Sequence, residues 1–135
     1  EEELAALWRQ GRASTRVAAR RVHPRLDPTA YPMLVVLAHG GPIRISELGA
    51  ALMLDKSTIS RQVDSAVRLG LVERSVDPTD ARARLVGLTD AGSSALHAVR
   101  ERRRASWREA LASWDREDVV RLTALLAKLR QAGVR

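Results

Sequence analysis

The spacing of apolar residues predicts that most of the chain is helical. Apolar side chains between residues 2 and 22 recur on one irregular helical face. His23-Pro24 ends that helix, because a residue before proline avoids helical backbone angles. Asp27-Pro28 begins a second helix, with an aspartate N-cap before a proline in the first turn. The glycines and proline at 40–42 end it.

Two shorter helices follow with very little chain between them. Ser46 is the expected N-cap of a helix over about 47–53, and Asp55 is the expected N-cap of a helix over about 56–69. Gly70 ends the second helix in the left-handed conformation that glycine tolerates. The expected buried stripe of this second helix is Ile59, Val63, Ala66 and Val67. Two helices at this spacing predict a helix-turn-helix.

A β-hairpin is predicted directly after the helix-turn-helix. Residues 71–76 and 85–88 are extended, partly apolar runs. Residues 77–84 between them are polar, basic and rich in turn-forming residues. A hairpin in this position is called a wing.

Two further helices complete the chain. Thr89-Asp90 begins a long helix over about 91–112, and Asp115 with Asp118 resembles a capping box that begins a last helix over 116–132. The first and last helices carry apolar stripes with no obvious partner in so small a core, so we expect them to pair between two chains. The expected dimer contacts are Leu4, Leu7, Trp8, Leu122, Leu125, Leu126 and Leu129.

These elements predict a mainly α fold with a small β-hairpin wing, organised as one compact domain. Residues 27–89 form the winged helix-turn-helix, which is the expected DNA-binding region. Residues 1–26 and 90–135 form the expected helical dimerisation region.

Composition favours duplex DNA as the partner. Lysine and arginine total 23 against 16 aspartate and glutamate, a net charge of +7, and almost all of the positive charge is arginine, whose planar fork suits phosphates and guanine edges. Aromatic residues, at 3%, are too few to build the stacking platforms that bind single strands. The absence of cysteine excludes disulfides, thiolate zinc sites and thiol redox sensing. No apolar run is long enough to span a membrane and the acidic start is unlike a signal peptide, so we expect a cytoplasmic protein without a membrane partner.

The outward face of the second short helix is the predicted DNA-reading surface. Small hydroxyl residues near its start leave room for bases, and Arg61 offers a fork for guanine. The alternative is that these residues only form the solvated face of an amphipathic helix. The predicted contacts are Lys56, Ser57, Thr58, Ser60, Arg61 and Gln62.

The predicted hairpin carries a second candidate surface. Asp80 and Arg82 are two residues apart, so both side chains point the same way on an extended tip. The carboxylate would orient the guanidinium toward a minor groove. The alternative is a surface ion pair that stabilises a turn. A run of arginines between 100 and 108 is interpreted as a solvated helix face, with accessory phosphate contact as the alternative.

Catalytic, cofactor and metal sites are not predicted. The histidines, at 23, 39 and 97, lack the paired spacing of metal ligands, and no carboxylate forms a recognisable catalytic pair with them. The chain also has no glycine-rich phosphate loop. We therefore expect a protein that is not an enzyme and holds no cofactor.

Four motifs in order resemble the MarR family of bacterial transcription regulators: LDKSTISR (54–61), LGLVER (69–74), DPTDAR (77–82) and LTDAG (88–92). The resemblance implies a winged-helix homodimer with recognition helices in successive major grooves and wings in the flanking minor grooves. It also implies that Asp80 orients Arg82 and that Arg84 lies near a phosphate. Thr79 and Ala81 stand where the family more often has arginine, which assigns more of the wing's contact to Arg82.

The resemblance also implies a function. Most members repress by occluding a promoter, so we expect a sequence-specific repressor on a pseudo-palindromic operator. Many members bind a small aromatic or anionic effector, for which the candidate residues by placement are Trp8, Arg12, Arg16, His39 and Trp107. The alternative roles of these residues are dimer packing, a solvated helix face and a helix C-terminus. The alternative functions are a winged-helix protein-interaction module and a non-specific architectural DNA-binding protein.

Overall fold

The structure is a computed structural model that describes residues 1–133. Helices predominate, and one small antiparallel sheet accompanies them. The elements in chain order are α1 (Glu2–Val22), a 3-10 turn (Pro28–Ala30), α2 (Tyr31–Gly40), β1 (Ile43–Arg44), α3 (Ile45–Leu52), α4 (Lys56–Arg68), β2 (Val72–Asp77), β3 (Asp80–Leu88), α5 (Asp90–Ala110) and α6 (Arg116–Gln131). The predicted fold class, a mainly helical chain with a hairpin wing, is confirmed.

Turn residues set the first boundaries. α1 ends where His23, before Pro24, takes an extended conformation, as predicted. Asp27 accepts a hydrogen bond from the backbone N–H of Thr29 (2.8 Å), but it caps the short 3-10 turn. The α-helix therefore begins only at Tyr31, later than the sequence pattern predicts.

The entry to α3 differs from the prediction. Ser46 lies inside the helix, and Arg44 is the N-cap residue. The backbone N–H of Arg44 donates to Glu47 Oε2 (3.1 Å), so a first-turn glutamate provides the capping interaction that was expected from a serine hydroxyl. α3 ends at Met53, whose φ of 53° is left-handed. Asp55 then caps α4, as predicted.

A hydrophobic core holds the inner face of α4. Ile59, Val63 and Ala66 are buried, as their spacing predicts, whereas Val67 is only half-buried. They belong to one cluster with side chains from α2, α3, β3 and α5, including Met33, Leu34, Leu48, Val86 and Leu96. Because these buried contacts fix the rotation of α4 about its own axis, the opposite face of the helix is held toward the solvent.

The sheet has the strand order β1-β3-β2. β2 and β3 form the predicted hairpin, but its turn is shorter than predicted, because β3 begins at Asp80 and residues 80–84 lie on a strand. Ile43 and Arg44 of β1 pair with Val86 and Leu85 of β3. The sequence pattern does not predict β1, since two residues are too few to show a period.

The contacts divide the chain into two compact units, Glu1–Arg100 and Glu101–Arg135, whereas the sequence pattern predicts one compact domain. The physical reason lies in α6, where the described residues include no buried side chain. The assignment of 27–89 to DNA and of 1–26 and 90–135 to dimerisation stays a prediction. Val134 and Arg135, the last two residues of that range, lie outside the described residues. Within residues 1–133, every helix is too short or too polar to span a bilayer.

Candidate nucleic-acid interface

α4 begins at an N-cap that uses both carboxylate oxygens of Asp55. The backbone N–H of Thr58 donates to Asp55 Oδ1 (2.8 Å), and the hydroxyls of Ser57 and Thr58 donate to Oδ1 and Oδ2 (both 2.7 Å). These hydrogen bonds, led by those from the two hydroxyls, hold the pKa of Asp55 well below its usual range. Ser57 and Thr58 thus direct their hydroxyl protons to Asp55, and their oxygens offer DNA only acceptor lone pairs.

The other predicted contacts on α4 divide into two groups. Lys56 and Arg61 are exposed, and Ser60 is half-buried. Gln62 is engaged within the chain, since its Nε2 donates to the carbonyl oxygen of Thr29 (3.2 Å). Gln62 Oε1 is buried without a hydrogen-bond partner in residues 1–133. Arg61 is therefore the long cationic side chain in the middle of the exposed face, and Gln62 ties α4 to the 3-10 turn.

The wing arginines lie on β3 and not on a loop tip. Arg82 is exposed, as predicted, but Asp80 does not orient its guanidinium. Asp80 Oδ1 instead accepts a hydrogen bond from the backbone N–H of Arg82 (3.0 Å), the local pattern that aspartate forms two residues before an amide. Arg84 Nη1 donates to the carbonyl oxygens of Ala81 (3.2 Å) and Ala83 (3.3 Å), so Arg84 lies along its own strand.

A buried aspartate, which the sequence pattern does not single out, anchors the hairpin turn. Asp77 is only 6% exposed, and its Oδ2 accepts hydrogen bonds from Arg44 Nε (2.9 Å) and Nη2 (2.7 Å). Its Oδ1 accepts from the backbone N–H (2.8 Å) and the hydroxyl (2.7 Å) of Thr79. The hydrogen bonds from Thr79, and then those from Arg44, lower the pKa of Asp77 to about 2. The sequence Asp77-Pro78-Thr79 indicates a turn, but nothing in the sequence indicates that Arg44, 33 residues away, is the partner of Asp77.

A second ion pair joins the helix to the wing. Arg74 on β2 donates a hydrogen bond from Nη2 to Asp64 Oδ1 on α4. Asp64 lies on the helix after Arg61, and Arg74 lies on the strand that precedes the hairpin turn. The candidate reading helix and the candidate wing are therefore linked directly by a charged contact.

Hydrogen bonds from Thr89 hold the start of α5 against the segment that follows α4. The Thr89 hydroxyl donates to the carbonyl oxygen of Gly70 (2.6 Å) and accepts from the backbone N–H of Gly92 (3.0 Å). The backbone N–H of Thr89 donates to the carbonyl oxygen of Leu71 (3.1 Å). A Cβ at Gly92 would lie 2.0 Å from that same oxygen, so only glycine allows this approach. The LTDAG motif is thus a packing element that fixes α5 to the winged region.

The candidate effector residues are spread over α1, α2 and α5. Within residues 1–133 no hydrogen bond joins any two of the set Trp8, Arg12, Arg16, His39 and Trp107, and Trp107 belongs to the second unit. His39 has other partners, because its Nδ1 lies 2.8 Å from the carbonyl oxygen of Val35 and its Nε2 lies 3.1 Å from Arg100 Nη2. A guanidinium only donates, so Nε2 accepts and Nδ1 carries the proton.

Both terminal helices expose apolar side chains. On α1, Leu7 is 49% and Trp8 is 54% exposed. On α6, Leu125 is 55%, Leu126 is 49% and Leu129 is 39% exposed. The other two predicted dimer contacts, Leu4 and Leu122, are half-buried. Asp115 is the N-cap residue of α6 but makes no side-chain capping bond, so the predicted capping box with Asp118 is wrong.

A helix-turn-helix followed by a hairpin that is ion-paired to its second helix, with exposed arginines on both, defines a winged-helix DNA-binding protein. Residues 26–83 match the profile of the MarR family. The chain is also 31% identical over 109 residues to YxaD of Bacillus subtilis, an uncharacterised HTH-type transcriptional regulator, and the match covers 81% of this chain and 76% of that protein. The chain belongs to the MarR family, and it is a DNA-binding transcriptional regulator.

Solved structures agree with this assignment. The crystal structure of RV1404 from Mycobacterium tuberculosis has a TM-score of 0.83 and 25% identity, covering 99% of this chain and 92% of that chain. A MarR family protein from Bacillus stearothermophilus has a TM-score of 0.77 and 26% identity, covering 99% of this chain and 95% of that chain.

Proposed function

We propose that the protein is a homodimeric repressor that binds a pseudo-palindromic operator through α4 and the wing of each protomer. The observation that carries the proposal is the Asp64–Arg74 ion pair, which joins α4 to β2 while Arg61 on α4 and Arg82 on β3 remain exposed. One unit thus presents two exposed guanidinium groups on connected elements, as combined groove and wing recognition requires. In a two-fold dimer, the half-sites would lie about one helical turn apart.

Four exposed basic residues on α4 and β3 have proposed roles of three kinds. Arg61 reads guanine O6 and N7 in the major groove through its fork, and Arg82 enters the minor groove, where a narrow groove has enhanced negative potential. Lys56 and Arg84 neutralise phosphates, which adds affinity without sequence information. Ser60 contributes a small hydroxyl that helps to set the register of α4 in the groove.

Selection of bound sequences from a random duplex pool tests the proposal. We expect recovery of an inverted repeat, which reports specificity, symmetry and spacing together. Equal affinity for all duplexes of a given flexibility would indicate an architectural protein instead. Binding without a steep salt dependence would indicate a protein-interaction module. Either of these two results contradicts the proposal.

Two variants separate the proposed roles on the recovered duplex. Arg61→Ala should lose roughly 1–3 kcal/mol of binding free energy and relax specificity at one base pair. Arg82→Ala should weaken binding more evenly across sequences and reduce the slope of log K against log salt by about 1. The matched control is Arg116→Ala, which removes the same charge from the start of α6. Wild-type binding by both Arg61→Ala and Arg82→Ala would contradict the roles.

Repression is the mode that we propose for the bound dimer, by occlusion of a promoter. In vitro transcription from a template with the recovered repeat inside the promoter should fall as protein is added. A rise in transcript with the same template would indicate an activator.

We also propose that a small aromatic anion relieves repression. His39 and Arg100, joined by a hydrogen bond, and the exposed arginines of α1 supply cationic and polar groups suited to a carboxylate. Benzoate added to the protein–DNA complex should release the DNA in an anisotropy titration, whereas acetate at equal ionic strength should not. Equal release by both salts would contradict an effector of this class.

A further inference from the structure

Arg44 and Asp77 join the helix-turn-helix to the tip of the wing. Arg44 lies at the N-cap of α3 and pairs with Leu85 of β3, so its backbone belongs both to the start of the helix-turn-helix and to the sheet. Its side chain reaches Asp77 at the end of β2 with two hydrogen bonds. Among the described residues, Asp77 is the only charged residue whose side chain is buried. A buried carboxylate with a two-point partner is a rigid connection.

The same network continues to the strand that carries Arg82. Asp77 Oδ1 closes the turn through Thr79, directly after an irregularity in the strand pairing at Val76 and Asp77. Arg44 Nη2 also lies 3.9 Å from Asp80 Oδ2, and the other oxygen of Asp80 accepts the backbone N–H of Arg82. The chain of contacts therefore runs from the entry of α3, through the turn, to the backbone of Arg82.

We propose that Arg44 and Asp77 are positioning residues that fix the wing so that Arg82 reaches DNA together with α4. Neither residue touches DNA in this proposal, because the guanidinium of Arg44 is hydrogen-bonded to Asp77. The proposal rests on the proposed contact of Arg82 with DNA. It assigns the orientation of the wing arginine to β1 and the hairpin turn, with Asp80 acting on the backbone of Arg82 and not on its guanidinium.

A double-mutant cycle tests the proposal in the full chain. The Kd for the recovered operator is measured for wild type, Asp77→Asn, Arg82→Ala and the double variant. Asp77→Asn keeps the shape of the side chain and the hydrogen bonds from Thr79, but it weakens the hydrogen bonds from Arg44. We expect it to weaken operator binding by about fivefold. In the Arg82→Ala background the same change should have less than about a twofold effect, because Asp77 acts through Arg82.

Controls separate positioning from a general loss of structure. Asp115→Asn makes the same chemical change at an N-cap whose side chain makes no capping bond, and it should leave the Kd unchanged. Arg44→Gln, at a half-exposed side chain, provides a second route if Asp77→Asn does not fold. It should likewise weaken binding only when Arg82 is present, with an unchanged far-ultraviolet dichroism spectrum.

The outcomes distinguish this proposal from the proposed function. If Arg82→Ala binds like wild type, the wing contact is wrong and the positioning role falls with it. If Arg82→Ala weakens binding while Asp77→Asn and Arg44→Gln do not, the function stands and the positioning role is overturned. Tighter binding by Asp77→Asn would also overturn it, since a released Arg44 would then be contacting phosphate itself.

Discussion

Three aspartates in this chain accept hydrogen bonds from a threonine two or three residues further on, but only one of them also binds a distant element. Asp27 and Asp77 each precede Pro-Thr, and in both cases the threonine donates its backbone N–H (2.8 Å) and its hydroxyl (2.7 Å) to one carboxylate oxygen. Asp55 binds the same two groups of Thr58 at the start of α4, but the threonine is three residues on and its N–H and hydroxyl donate to different carboxylate oxygens. The pKa of each carboxyl is lowered by these bonds. Only Asp77 adds an arginine from another element, which turns a local cap into a long-range connection.

The lowered pKa of Asp55 predicts acid sensitivity of the winged region. A carboxyl whose pKa is lower in the folded chain than its ordinary value of about 3.9 adds stability at higher pH. This stability is lost progressively as the pH falls from the ordinary value to the folded pKa, so part of it is already lost at pH 3. Asp55→Asn keeps an N-cap side chain but cannot titrate. Urea unfolding at pH 7 and pH 3 should therefore give a smaller fall in the midpoint for Asp55→Asn than for wild type. An equal fall would contradict the role of Asp55.

At the scale of elements, local signals in the sequence predict most of what the structure contains. Asp55 and Gly70 mark both ends of α4 because a cap and a left-handed glycine act within a few residues. The prediction fails in two ways. A local alternative wins at Asp80, whose carboxylate accepts the backbone N–H of Arg82 and does not hold its guanidinium. A distant partner decides at Arg44, because Asp77 lies 33 residues away and sequence spacing holds no information on that contact.

The junction between α4 and α5 gives a prediction at the same scale. Gly92→Ala places a methyl group against the Leu71 carbonyl, which the backbone cannot avoid, and the free energy of unfolding should fall by about 1–3 kcal/mol or more. Gly11→Ala is the matched control, since nothing lies within 4 Å of a Cβ there. In the middle of α1 it should stabilise by roughly 0.5–1 kcal/mol. Chemical denaturation measures both, and equal effects would contradict the close approach at Gly92.

At the scale of the whole molecule, the two compact units differ in how far they bury their apolar side chains. Of the residues that the structure describes, all those in the buried core belong to the first unit, Glu1–Arg100. The second contains α6, whose described residues include no buried side chain and whose leucines recur at the spacing of one helical face. Exposed leucines in a row are costly in water, so a helix of this kind requires a partner surface. In the homodimer that we propose, a second copy of the chain would supply this surface with two-fold symmetry, which a pseudo-palindromic operator would match.

Charge placed in the leucine seam of α6 should separate the protomers. Leu126→Glu puts a carboxylate in the middle of the seam formed by Val119, Leu122, Leu125, Leu126 and Leu129, where pairing would remove it from water at a cost of several kcal/mol. Sedimentation velocity should show a monomer, and affinity for a two-half-site duplex should drop toward that for a single half-site. Val120→Glu is the matched control, because the 3.6-residue period puts Val120 on the opposite side of α6, where it is 61% exposed. A variant at Leu126 that sediments as a dimer and binds both half-sites would contradict the seam, since a carboxylate tolerated there would have to face water in the assembled regulator.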